Sequence, residues 1–208
     1  VVACFLAAPA AEAAAPPLPV RLAKALAVPH VARAASGAIA IDLTTYSVVY
    51  ERNADVSLRP ASNEKLPVTF AALRELGPYY RFRTEVLGVG RQDGAVWDGD
   101  LVLKGYGDPT LTSLGLERLA AQLKQQGIRT VTGRVIGDES WFDSKRMVAG
   151  WLRGYYVNES PPLSALAVDR DRYHGLVGTM PPLSAAARFQ ELLHKRGAIL
   201  SYTDPHVP

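Results

Sequence analysis

The chain has 208 residues, of which 48% are hydrophobic and 21% charged. These values are ordinary for a globular protein and exclude collagen-like, coiled-coil and wholly disordered chains. Its 23 basic residues against 20 acidic ones give a net charge of +3, and without a dense basic cluster this predicts no nucleic-acid partner. The length accommodates one full domain or parts of two.

Residues 1–15 (VVACFLAAPAAEAAA) form an apolar, alanine-rich run that closes on small residues. This pattern is typical of the end of a secretory signal peptide and predicts export to the periplasm, the cell wall or the medium. Two alternatives stay open: a lipoprotein signal around Cys4, and an alanine-rich disordered leader. Because no later segment reaches 18 consecutive apolar residues, membrane association is expected to be at most peripheral.

After a proline-containing linker, helical and strand-like patterns alternate along the chain. Apolar spacing predicts helices over 20–28, 61–76, 116–126 and 185–195, and alternating β-branched residues predict strands over 37–50 (two strands), 82–90, 101–104 and 131–136. The alternation predicts a mixed chain of the α/β or α+β class.

Ser62 and Lys65 are the first candidates for chemistry. On a helix this spacing places the hydroxyl and the amine on one face, within reach of each other. A serine hydroxyl needs a neighbouring base to become a nucleophile, and a lysine can be that base when its amine is unprotonated. The pattern by itself is equally compatible with a helix N-cap at Ser62 and a surface lysine at Lys65.

The surrounding sequence strengthens the catalytic interpretation. The Ser-x-x-Lys pattern lies within 59–66 (RPASNEKL), and three segments follow it in a defined order: 104–111 (KGYGDPTL), 127–138 and 162–170 (PLSALAVDR). Together they resemble the D-alanyl-D-alanine carboxypeptidase/endopeptidase family of class C penicillin-binding proteins. The resemblance extends over roughly residues 20–195 and implies part of a β-lactamase/transpeptidase-like domain with an inserted accessory region. The implied domains are a leader over 1–15, the first half of the transpeptidase-like domain over 16–88, and an accessory region over 89–208.

This resemblance implies a serine-type carboxypeptidase in which Ser62 is the nucleophile and Lys65 the general base, opening a buried helix. The implied partners are peptidoglycan peptides ending in D-Ala-D-Ala and β-lactam antibiotics, and no cofactor is implied. Two other interpretations stay open: a truncated, catalytically incomplete module that binds cell-wall peptide, and a serine β-lactamase.

Trp151, Tyr155 and Tyr156 are candidates for a substrate-binding groove, although packing of these rings in a core is the stronger expectation. The four histidines have no metal-ligand spacing, so no metal site is predicted. The Gly105-x-Gly107 pair lacks the third glycine of a dinucleotide-binding loop.

Three features depart from the family pattern. The Ser-x-Asn and Lys-Thr-Gly elements do not occur in the chain, which leads to the expectation that it is the N-terminal portion of such an enzyme. Pro67 falls inside the predicted helix, where it is tolerable only in the first turn. Residues 44–46 (TTY) replace the usual Asp-Thr-Gly turn, a minor change in a hairpin.

Overall fold

The structure is a computed structural model that describes residues 15–152, 154–155, 159–173 and 175–207. The chain divides into two compact units, with the boundary between Pro78 and Tyr79. The predicted domain boundary after residue 88 falls inside a strand of the second unit, so the assignment of domains stays a prediction. The predicted leader lies outside the described residues except for Ala15.

Helices and short strands alternate along the described residues. They are α1 (Leu18–Ala25), β1 (Ala38–Ile41), β2 (Val48–Arg52), α2 (Lys65–Leu76), β3 (Thr84–Asp93), β4 (Val96–Gly105), α3 (Ser113–Gln125), β5 (Thr130–Val131), β6 (Val135–Asp138), β7 (Arg172–Tyr173), β8 (Leu176–Val177), α4 (Pro181–Lys195) and β9 (Ile199–Leu200), with 3-10 turns at Arg33–Ala35, Ala61–Glu64 and Asp169–Asp171. None of the helices in the described part combines the length and apolar character needed to span a bilayer.

The first unit contains α1, the antiparallel β1–β2 hairpin and α2. Its hairpin is tied to the preceding segment by side-chain hydrogen bonds: the Asn53 amide donates to the carbonyls of Arg33 and Ser36, at 2.8 and 2.9 Å. Among the described residues up to Pro78, none is buried. This unit therefore holds its shape through local hydrogen bonds rather than through a core of its own.

The second unit is built on a five-stranded mixed sheet. β3 and β4 pair antiparallel, β4 pairs parallel with both β5 and β6, and β5 pairs parallel with β9. α3 connects the parallel strands β4 and β5, as parallel pairing requires, and α4 leads into β9, which pairs parallel with β5. The core lies between β4, α3 and α4 and includes the fully buried side chains of Leu101, Leu103, Leu116, Leu166 and Phe189.

The single strand predicted over 131–136 is wrong, because two short strands, β5 and β6, occupy this region. The interruption has a steric cause at Gly133, where a side-chain Cβ would lie 2.3 Å from the backbone carbonyl of Gly99. Beside it, the Thr132 hydroxyl accepts a hydrogen bond from the Gly99 amide at 3.1 Å. Backbone hydrogen bonds still bridge the gap, with the Gly133 amide donating to the Gly99 carbonyl at 3.0 Å, and β5 and β6 pair with β4 in the same register.

The second unit contains a left-handed turn at residues 169–171. Asp169, Arg170 and Asp171 are three successive non-glycine residues with positive φ angles of 50°, 57° and 52°. Such conformations cost energy for residues with a Cβ. The turn is held by Asp169, whose carboxylate accepts hydrogen bonds from the Ser113 amide and hydroxyl and from Arg188.

The pKa values of the two carboxyl groups in this turn shift in opposite directions. Burial raises the pKa of Asp169, but the hydrogen bonds from Ser113 and Arg188 outweigh it and hold the pKa below its usual range. Asp171 is 1% exposed, and neither of its carboxylate oxygens has a hydrogen-bond partner among the described residues. Burial raises the pKa of Asp171 to about 6, and the nearby Ser184 hydroxyl and the charge of Arg146 offset only part of this effect.

We expect the first unit to be far less protected than the second. Because no described residue around α2 is buried, its amides should exchange with deuterium on the order of a thousandfold faster than those of β4. Hydrogen exchange followed by mass spectrometry measures this difference. Equal protection of α2 and β4 would contradict the absence of a core around α2.

Asp171 should make the protein less stable as the pH rises. The folded chain retains a proton that the unfolded chain releases near its ordinary pKa of 3.8. The stability from this group is therefore complete below about pH 4 and lost as the pH passes through about 6. Asp171→Asn should remove this dependence and stabilise the protein at pH 7 by up to roughly 3 kcal/mol.

Asp169→Asn is the matched comparison and should have the opposite effect. The lowered pKa of Asp169 means that its stabilisation is present above the ordinary carboxyl pKa and lost as the pH falls through the folded value. The substitution should destabilise the protein at pH 7. Urea unfolding of both variants between pH 4 and pH 8 tests the pair, and parallel pH profiles for the two would contradict this account.

Candidate functional site

Ser62 and Lys65 lie at the junction of a 3-10 turn and a helix. Ser62 belongs to the 3-10 turn Ala61–Glu64, and Lys65 is the first residue of α2. The α geometry begins at Lys65, and Pro67 is the third residue of α2. Pro67 therefore lies in the first turn, where the missing N–H has no helical partner to lose.

The two side chains contact each other. The Lys65 Nζ lies 3.4 Å from the Ser62 Oγ and donates a hydrogen bond to it. No side chain caps either the 3-10 turn or α2. The alternative in which Ser62 serves as a helix N-cap therefore has no support in the geometry.

The surroundings of the pair are open. Ser62 and Lys65 are exposed, and the apolar residues of α2 are exposed as well, with Leu66 at 71% and Phe70 at 65%. The expected burial of this helix is not found within the described part of the first unit. A lysine gains a free amine near neutral pH through burial or a neighbouring cation, so the local geometry provides the contact but not the dry environment.

Trp151 and Tyr155, the predicted groove residues, lie in the second unit. Their rings form an edge-to-face pair with centroids 6.4 Å apart, and Trp151 lines a cavity together with Phe142 and Leu163. Tyr156 lies outside the described residues. The predicted site residues thus form two pairs, Ser62 with Lys65 and Trp151 with Tyr155, which belong to different units.

Two of the three segments that follow the Ser-x-x-Lys pattern, 104–111 and 162–170, meet in the second unit. The Gly107 amide donates to the Ala165 carbonyl at 2.8 Å, and a Cβ at Gly105 would lie 2.3 Å from the same oxygen. The glycines of the 104–111 segment thus permit the close approach of the 162–170 segment. This explains the Gly-x-Gly spacing without a phosphate ligand.

Sequence reasoning did not single out Phe142 or Asp171. Phe142 lies beside Gly107, where a Cβ would come within 2.7 Å of its ring, and it is 54% exposed. No periodicity marks either residue, because each acquires its setting from segments that are distant in sequence.

Comparison with known proteins identifies a family. The D-Ala-D-Ala carboxypeptidase 3 (S13) family matches residues 18–186. A D-alanyl-D-alanine carboxypeptidase of Actinomadura sp. is 40% identical over 123 residues, which are 59% of this chain and 23% of that protein. The D-alanyl-D-alanine carboxypeptidase DacB of Haemophilus influenzae is 32% identical over 131 residues, 62% of this chain and 27% of that protein.

Solved structures agree with these relatives. Penicillin binding protein 4 (dacB) from Haemophilus influenzae matches with a TM-score of 0.59 and 31% identity, over 65% of this chain and 30% of that chain. The same protein complexed with a β-lactam matches with a TM-score of 0.50 and 30% identity, over 64% of this chain and 27% of that chain. The mixed α/β fold class is confirmed, and the matched region spans about a quarter of the length of these relatives.

Proposed function

The chain belongs to the D-Ala-D-Ala carboxypeptidase 3 (S13) family, and from this membership we propose that it provides the nucleophile of a serine-type, penicillin-binding D-Ala-D-Ala carboxypeptidase or endopeptidase. The proposed substrate is a peptidoglycan stem peptide ending in D-Ala-D-Ala. The observation that carries the proposal is the contact between the Lys65 Nζ and the Ser62 Oγ at 3.4 Å. Ser62 is the proposed nucleophile and Lys65 the proposed general base.

The reaction follows from the chemistry of these two groups. The unprotonated Lys65 amine takes the proton of the Ser62 hydroxyl as the Oγ attacks the carbonyl carbon between the two D-alanines. The C–N bond then breaks, and the departing D-alanine amine takes the proton from Lys65. Water hydrolyses the resulting ester, which releases the shortened peptide and regenerates Ser62.

Two features of the turn suit this role. The Ser62 Oγ makes no capping hydrogen bond, and its hydrogen-bond contact is with the Lys65 amine. The amide N–H groups at the start of the helical segment favour the negative charge that develops on the carbonyl oxygen. Complete stabilisation of that charge requires a water-excluded environment around the pair.

β-Lactams are the proposed inhibitors. A β-lactam carbonyl presents the same electrophile as the peptide and would leave an ester on Ser62. The match to penicillin binding protein 4 in complex with a β-lactam supports this assignment. We further propose that the protein acts outside the cytoplasmic membrane at the cell wall, because its substrate lies there and residues 1–15 have the pattern of an export signal.

Labelling with fluorescent penicillin tests the nucleophile. The wild-type chain should form a covalent adduct that is stable in denaturing gels, and Ser62→Ala should abolish it because the attacking oxygen is removed. Peptide mapping should locate the adduct on Ser62. A wild-type chain that remains unlabelled would contradict the proposal and favour a module that only binds cell-wall peptide.

Lys65→Met should slow acylation by roughly a hundredfold or more, because loss of a general base typically costs this much. Lys195→Met is the matched control, since Lys195 is an exposed lysine at the end of α4 in the second unit. Single-turnover labelling rates compare the two variants. Equal rates for Lys65→Met and wild type would refute the role of Lys65 as the base.

A further inference from the structure

An exposed aromatic cluster lies in the second unit, where the parallel strands β4 and β6 end. The Trp141 ring packs edge-to-face against the Tyr106 ring, with centroids 5.2 Å apart, and the Arg83 guanidinium covers Tyr106 at 4.1 Å from its centroid. Trp141 is nevertheless 58% exposed, and none of the described residues accepts a hydrogen bond from its indole N–H. Apolar surface of this size that is left in water commonly marks a binding site.

The orientation of the Trp141 ring is supported from two sides. The Tyr106 ring beneath it is fixed by its hydroxyl, which donates to Glu85 at 2.6 Å. The loop that carries Trp141 is closed by Asp138, whose carboxylate accepts a hydrogen bond from the Ser140 amide at 2.7 Å. A ring that is held in place before binding loses little conformational entropy when a ligand covers it.

Four charged side chains surround the cluster, and their charges cancel. Glu85, Lys104 and Asp138 form a row across β3, β4 and β6, in which Lys104 pairs with Asp138 at 2.7 Å. Arg83 pairs with Glu85 at 3.5 Å. Two cations and two carboxylates give no net charge, so the surface does not favour a polyanion such as a nucleic acid or an anionic membrane.

A sugar ring matches this combination of a flat ring and a neutral polar rim. One face of a pyranose is a layer of C–H bonds, which packs on an indole through dispersion forces. Its edge carries hydroxyl groups that both donate and accept hydrogen bonds, and the paired carboxylates and cations of the rim offer partners of both kinds. An apolar peptide side chain would use the indole but leave the rim without a role.

We propose that Trp141, together with the Ser140 hydroxyl and the Lys104–Asp138 pair beside it, forms a saccharide-binding site in which a sugar ring stacks on the indole. Under the proposed function, on which the choice of sugar rests, the ligand is the N-acetylated amino-sugar strand to which peptidoglycan stem peptides are attached. Its acetamido group supplies a methyl group to the ring and an N–H and a carbonyl to the rim. The second unit thus binds the polymer through its sugars.

The test uses the full chain carrying Ser62→Ala and a probe without any peptide, chitotetraose, the tetramer of N-acetylglucosamine. Recognition of a stem peptide therefore cannot contribute to the signal. Calorimetric titration should give a dissociation constant of about a millimolar or tighter, and the NMR signal of the Trp141 indole N–H should shift on binding. Cellotetraose, which lacks the acetamido groups, should bind about tenfold more weakly because their hydrogen bonds are lost.

Trp141→Ala should weaken binding of chitotetraose roughly tenfold or more, because the stacking surface is removed. Trp141→Tyr keeps a flat ring and should retain most of the affinity. Tyr202→Ala is the matched control, since Tyr202 is also a half-exposed ring beside an arginine, 5.7 Å from Arg134, and it should bind like the parent chain. Thermal unfolding identifies any variant that does not fold, and the indole N–H shift of the parent chain then carries the test.

Three results would overturn the proposal. The first is no binding of chitotetraose at millimolar concentration, which would favour a protein partner for the exposed ring, and the second is full affinity in folded Trp141→Ala. The third is equal binding of chitotetraose and cellotetraose, which would refute the choice of an amino sugar.

Penicillin labelling of the wild-type chain tests the proposed function separately, because the binding experiment uses a chain without the Ser62 hydroxyl. A chain that is labelled at Ser62 but does not bind chitotetraose refutes only the saccharide site. A chain that binds chitotetraose through Trp141 but is never labelled refutes only the proposed function.

Discussion

The Asp169 carboxylate organises much of the second unit. It accepts hydrogen bonds from Ser113 at the start of α3 and from Arg188 on α4, so one side chain joins both helices to a loop. These charge-assisted bonds compensate for the left-handed backbone of three successive residues. As a result, Arg170 points outward and Asp171 is forced into the interior. The exposed Arg170 guanidinium and the buried Asp171 carboxyl are thus two consequences of one network.

The two units have different physical foundations. The second unit has a core in which β4 packs against α3 and α4, with Leu103, Leu116 and Phe189 fully buried. The described part of the first unit has no buried residue, and its proposed catalytic pair depends on local helical geometry alone. Local geometry is sufficient to bring a hydroxyl and an amine within 3.4 Å, since the spacing itself does so. It is not sufficient to dehydrate them, which is a tertiary property.

The family match extends over parts of both units. Two D-alanyl-D-alanine carboxypeptidases are matched over about a quarter of their length. The family match over residues 18–186 includes both the Ser62–Lys65 pair and the 104–111 and 162–170 segments. The glycines of the 104–111 segment have a steric role, because they allow a second backbone to approach. The Gly-x-Gly spacing of this segment is therefore explained by packing.

The sequence by itself determined the class of fold, the position of most helices and strands, and the Ser62–Lys65 pair with its proposed chemistry. These features depend on local periodicity and on residues three apart, which the order of amino acids encodes directly. The sequence did not reveal the division of the 131–136 segment, the left-handed turn or the exposure of α2. The first two depend on contacts between distant segments, Gly133 against Gly99 and Asp169 against Arg188, and the third on which segments pack against the helix. Only the tertiary structure decides which segments meet, and therefore which charged groups are buried, paired or left at a surface.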